Sequence, residues 1–182
     1  TAYVAPDPAA IPPRQFLYGG HYIRGAVSAT VAPGGVGKTA IAIRDAVEMV
    51  RKGLRVWFFS GEEPLDEIHR RIAAYCQLHK LEASYLAGLF VDADTPIKVA
   101  ASGKGSAVVF DETALGEFEA TIRANRIDVV ILDPFVSIHA ASENDNPAQD
   151  QIIKRLKRVA EIVGGAAEIL HHARKPAQGM TD

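Results

Sequence analysis

Residues 26–39 read Ala26-Val-Ser-Ala-Thr-Val-Ala-Pro-Gly-Gly-Val-Gly-Lys38-Thr39, and residues 40–53 continue Ala40-Ile-Ala-Ile-Arg-Asp-Ala-Val-Glu-Met-Val-Arg-Lys-Gly53. Val27 to Val31 is a short β-prone run. The glycine-rich turn after it opens into an amphipathic helix with Ile43, Val47 and Val50 on one face and Gly53 placed to end it. A strand, a glycine loop and a helix that begins with Gly-Lys-Thr together make a P-loop. Its physics is anion capture. Backbone N–H groups of the loop and of the helix start point at phosphate oxygens, and the helix dipole favours the negative charge. Gly34, Gly35, Val36 and Gly37 supply the loop, and Lys38, Thr39 and Ala40 the first helical turn. Lys38 is expected to reach the β- and γ-phosphates of ATP, and the Thr39 hydroxyl to ligate Mg²⁺.

One position departs from the G-x-x-x-x-G-K-[ST] pattern: Ala32 stands where the first glycine is usual. Alanine suits that place if the residue keeps ordinary strand-end angles. A glycine-rich turn that binds nothing is the bland alternative. The strand before the turn and the helix after it argue against that alternative.

At 182 residues the chain is one domain by length and long enough to bury a substantial core. Its formal net charge of −2 gives no global field toward nucleic acid or membrane, so contact with DNA would need local basic loops or assembly. The single Cys76 excludes an internal disulfide and suits a reducing cytoplasm. No stretch reads as a signal peptide or as an apolar run able to span a bilayer, so a cytoplasmic protein without a membrane partner is expected. Because the chain begins at Thr1 without Met, a fragment or processed product of something longer is also expected.

Residues 1–20 read as a proline-rich arm or linker, and 21–182 as one ATPase domain cut short on its C-terminal side. Leu54 to Ser60 is a mostly apolar run, expected as a central strand. Pro64 suits the first turn of a helix to about Lys80, with Leu65, Ile68, Ile72 and Cys76 at helical spacing. Leu89–Val91, Ile97–Val99 and Ala107–Phe110 look like short strands, with residues 102–106 as the turn between the last two. A helix over about 113–125 presents Leu115, Phe118 and Ile122. Asp128 to Asp133 is a buried-strand run that ends in a carboxylate. After a polar turn over 142–147, a helix over about 148–163 carries Ile152, Leu156, Val159 and Val163. Ala166–Leu170 is the final strand. Alternating strands and helices predict a central, mostly parallel sheet with helices on both faces.

Open α/β sheets bind ligands at the carboxyl ends of their strands. Four such ends carry polar chemistry here: the P-loop, Glu62-Glu63, Asp133 and His171-His172. Asp133, after four apolar residues, fits an acid that holds Mg²⁺ directly or through water, or simply starts a turn with Pro134. Either glutamate could polarise the water that attacks the γ-phosphate, with Glu62 favoured; either could instead serve the dipole of the next helix. The histidines could pack as structure or ligate a metal, but the chain offers no ligand cluster at zinc spacing. A polar contact to the γ-phosphate fits their position better.

The runs Ala32-Pro-Gly-Gly-Val-Gly-Lys-Thr39, Phe59-Ser-Gly-Glu-Glu63, Leu132-Asp-Pro134 and Leu170-His-His-Ala-Arg-Lys175 resemble the RepA-type hexameric replicative helicase ATPases of the RecA superfamily. The lead-in Ile11-Pro-Pro-Arg14 and the turn Glu143-Asn-Asp-Asn146 share the likeness, which extends from about residue 11 to 178. The resemblance implies a RecA-like P-loop NTPase core. It also implies ATP hydrolysis between subunits of a homo-hexameric ring, and single-stranded DNA gripped by central loops that follow Lys175. By the same likeness Lys38 and Thr39 bind phosphate and Mg²⁺, Glu62 is the catalytic base, Asp133 the Walker B acid, and His171 or His172 the phosphate sensor.

DNA translocation driven by Mg-dependent ATP hydrolysis is therefore the expected function. The same motifs would serve a recombination or regulatory ATPase that uses ATP as an assembly switch. A small-molecule kinase would want an arginine lid and an acceptor pocket, which the sequence does not display. A nucleotide-binding scaffold would leave Glu62 and Asp133 idle.

Overall fold

The computed structural model describes residues 2–93, 97–104, 107–142 and 145–173. Five strands form one all-parallel sheet: β3 (Val27–Ala32), β4 (Val56–Ser60), β5 (Leu89–Ala93), β8 (Val129–Asp133) and β10 (Ala166–His172), in the order β3-β10-β8-β4-β5. Their apolar runs reflect burial on both faces; every residue of β4 and β8 is buried. On one face α1 (Lys38–Arg51) and α2 (Leu65–His79) cover a core built around Val47, Met49, Phe58, Ile68, Ile131 and Leu170. On the other, α3 (Glu112–Ala124) and α4 (Asn146–Val163) cover Trp57, Leu115, Leu132, Ile152 and Leu156. This is the α/β sandwich of a RecA-like P-loop fold.

A two-stranded hairpin of β1 (Phe16–Tyr18) and β2 (Tyr22–Ile23) precedes the sheet and anchors it through the buried Tyr22. A three-stranded sheet of β6 (Ala100–Ser102), β7 (Val108–Phe110) and β9 (His139–Ala140) lies apart from the main one. Trp57 points toward α3. Its indole N–H donates to Asp92 Oδ2 at 2.7 Å and its ring lies 5.1 Å from that of Phe118.

Several expected boundaries move for local reasons. Pro64 is the residue before α2 rather than part of its first turn; its extended ψ of 156° leads into the helix from outside. The strand expected at Ile97–Val99 is instead Ala100–Ser102. Val99 makes isolated backbone bonds to Ile138 and Asp111, while the small side chains at 100–102 fit between β7 and β9. Helix α4 starts two residues early, at Asn146, because the Asp145 carboxylate caps it from Ala148 N at 3.0 Å. Strand β10 runs past Leu170 to His172, since β3 keeps pairing with it through His171↔Val31 and His172↔Ala32.

Parts of the turns expected at 102–106 and 142–147 fall on residues 105, 106, 143 and 144, outside the described residues. Arg174, Lys175 and the DNA-gripping loop expected after them also lie outside the described residues. No helix among the described residues is long and apolar enough to cross a membrane.

Candidate active site

The parallel sheet turns the carboxyl ends of β3, β4, β8 and β10 toward one cleft of about 250 Å³, lined by Gly35, Gly37, Lys38, Thr39, Glu62, Glu63, Arg71, Asp133 and His172. Each strand contributes through the residues at or just after its end. The sequence-predicted strand-end groups thus converge, with His171 as the exception taken up below.

The loop from Pro33 to Gly37 leaves β3 with Ala32 as its last extended residue. Ala32 is not among the positive-φ positions, so the missing glycine costs no backbone strain there. Gly35 and Gly37 do need left-handed angles, at φ 78° and 94°. Helix α1 has no side-chain cap and no acid in its first turn. By contrast α3 and α4 are capped by Asp111 and Asp145, and α2 carries Asp66 and Glu67 in its first turn. The α1 start therefore keeps its N–H groups for an external anion. Gly34, Val36 and Ala40 lie exposed around this start.

Lys38 is almost fully buried. Its ammonium donates back to the carbonyls of Ala32 at 2.7 Å and Pro33 at 2.9 Å, and lies 3.3 Å from His172 Nδ1. A buried cation needs such partners. The loop supplies its own until a phosphate competes for the charge. The other ring nitrogen, Nε2, faces Glu62 Oε2 at 3.6 Å.

Asp133 ends β8, buried, and takes a hydrogen bond from Thr39. Burial pushes its carboxyl above the usual range; Glu62 and Glu63 add to the rise, and the Thr39 bond and His172 work against it. Thr39 and Asp133 together present hard oxygen donors. Mg²⁺ binds through one or two carboxylates plus substrate phosphates rather than an all-protein cage. The hydroxyl of Thr39 and the carboxylate of Asp133 are the oxygen donors that Mg²⁺ takes, and among the described residues no group of three or more His, Cys, Asp or Glu is placed to hold a metal.

The two adjacent glutamates are parted by their partners. Glu63 Oε1 is bound by Arg71 Nη2 at 2.7 Å, and its backbone closes a turn with the Ser60 hydroxyl. Glu62 makes no such bond among the described residues and opens on the cleft. The histidines are parted by strand alternation. His172 packs against Gly34 and Lys38, whereas His171 lies on the other side, its ring 6.3 Å from Phe135 and edge-on to it. Of the expected pair, His172 is brought to the cleft and His171 is not. Arg71 is the cleft residue that the motifs did not single out. The available signal was its i,i+4 spacing from Glu67, which it meets at 3.3 Å.

A family model described as an AAA domain matches residues 3–178 of the chain. No curated protein matches it.

Proposed function

The chain belongs to the AAA domain family, whose members are P-loop ATPases, and from that premise we propose a Mg-dependent ATPase whose turnover drives translocation along single-stranded DNA. The observation that carries the hydrolytic half is the meeting of Lys38, Thr39, Glu62, Asp133 and His172 in one cleft at the carboxyl edge of a parallel sheet. The DNA half, and a ring of like subunits as its working form, rest on the motif resemblance to RepA-type helicases.

In this reading the triphosphate displaces Lys38 from the Ala32 and Pro33 carbonyls, because a phosphate oxygen offers the ammonium a full opposite charge. The N–H groups at the start of α1 take the remaining phosphate oxygens. Thr39 and Asp133 would hold Mg²⁺, which supplies charge neutralisation on the β- and γ-phosphates. Glu62, which no arginine among the described residues holds, accepts the proton of the attacking water on its carboxylate. Glu63 keeps its bond to Arg71 and fixes the start of α2. His172 reports the γ-phosphate: once Lys38 is drawn off, Nδ1 loses its donor and the ring can turn toward the phosphate.

The test is an ATPase assay on the purified protein with and without single-stranded DNA, paired with strand displacement on a forked duplex. DNA-stimulated hydrolysis with displacement is expected. Hydrolysis that DNA stimulates without displacement would favour the recombination or regulatory ATPase. A phosphorylated small molecule in place of free phosphate would overturn the hydrolytic reading.

A further inference from the structure

We infer that Gly61 and Ser137 are positioning residues whose contact sets the place of Glu62 relative to Asp133. The inference rests on the reading of Glu62 as the base. Gly61 lies between the end of β4 and Glu62. Its backbone N–H donates to the Asp133 carbonyl at 2.8 Å, one step beyond the paired register Ser60↔Asp133. Its α-carbon is pressed onto the turn that follows β8. A Cβ added to Gly61 would fall inside the van der Waals contact of Ser137 Cβ and Oγ. Gly61 is not among the positive-φ glycines, so an alanine there is refused by space and not by backbone angle.

The turn opposite is not free to yield. Ser137 N and Oγ both donate to the Pro134 carbonyl, at 3.1 and 2.6 Å. Phe135 and Ile138 on either side of it are each 1% exposed and pinned in the core. On the other side the segment from Ser60 to Glu63 is closed by the Ser60 hydroxyl and by Arg71. The segment that leads to the base and the turn that follows the Mg-side acid thus meet at Gly61, through its bond to Asp133 and its close approach to Ser137. Added bulk at that point moves Glu62 away from Asp133, while the P-loop, fixed by β3 and α1, stays in place.

Gly61→Ala is expected to lower kcat by about 10- to 100-fold, the scale of a sub-ångström to ångström misplacement. Affinity for a fluorescent ATP analogue should hold. Ser137→Gly removes the obstructing atoms, so Gly61→Ala combined with Ser137→Gly should recover most of the native kcat. Native kcat in Gly61→Ala overturns the inference. So does a double variant that binds the analogue yet remains slow. If Gly61→Ala alone does not fold, the double variant is compared with Ser137→Gly: equal kcat supports the inference and a slower double variant overturns it. Glu62→Gln measured alongside separates the two ideas. Native turnover there defeats the reading of the base, whereas a slow Glu62→Gln beside a native-rate Gly61→Ala defeats only the positioning role.

Discussion

The Nδ1 atom of His172 lies 3.3 Å from the Lys38 ammonium. An ammonium only donates, so Nδ1 is the acceptor and the neutral ring carries its proton on Nε2, the atom that faces Glu62. One imidazole therefore stands between the phosphate-binding cation and the carboxylate expected to act as base. Whatever removes Lys38 from the ring changes what the ring offers Glu62.

His172→Ala should leave ATP affinity close to native, because Lys38 and the N–H groups at the start of α1, which take the phosphates, stay in place. It should cut basal hydrolysis and abolish stimulation by single-stranded DNA. His171→Ala, on the Phe135 side, should keep both rates. Steady-state phosphate release with and without DNA checks the pair; normal stimulation in His172→Ala would sink the sensor role.

Lys38→Ala should remove nucleotide binding and lower turnover by at least about 10²-fold, since the ammonium neutralises charge in ground and transition states alike. Equilibrium binding of a fluorescent ATP analogue and phosphate release measure the two effects. Near-native hydrolysis would end the P-loop reading.

Glu62→Gln keeps shape and loses the basic oxygen. Binding should survive and kcat should fall by roughly 10²–10⁴. Glu63→Gln should instead loosen Arg71 and the start of α2, showing as a lower Tm with a smaller kinetic loss. The opposite ranking of the two kcat values would assign the base to Glu63.

Asp133 makes a pH-dependent prediction. Burial raises its carboxyl in the native chain, so the native state holds that proton to higher pH than the unfolded state does. Stability then falls as pH rises from the unfolded Asp value through the raised native one. In metal-free buffer Asp133→Asn should have a higher Tm than the native chain at neutral pH. The advantage should vanish below the ordinary Asp range, where both side chains are neutral, and Mg-dependent turnover should be lost at every pH. A Tm at neutral pH equal to or below the native one would contradict this sign.

The strand, loop and helix around Lys38 were legible because their chemistry is local: each glycine, the lysine and the threonine act within a few residues of one another. Asp133 was legible for the same reason, as a carboxylate at the end of an apolar run. The choices within Glu62-Glu63 and within His171-His172 were not. Adjacent residues share composition and position, and only the Arg71 bond and the β10–β3 register separate them. The β1–β2 hairpin and the two-residue β9 escaped because so short a strand has no period to read. The inward turn of Lys38 onto Ala32 and Pro33 is a tertiary fact with no sequence signature.

Trp57 is the chain's one tryptophan. It sits three residues before the end of β4, about 10 Å along the strand from the cleft, held between Asp92 and Phe118 on the α3 side. Intrinsic fluorescence excited at the indole band thus comes from a single site on the same strand that leads to Glu62, beside a cavity that Asp92, Lys98 and Glu117 also line. Trp57 packs on the α3 face and does not line the cleft, so nucleotide at the P-loop is expected to leave its surroundings unchanged. A melt followed by tryptophan emission reads the packing of β4 against β5 and α3, and a titration followed the same way should stay flat, so fold and occupancy can be observed as separate signals in one cuvette.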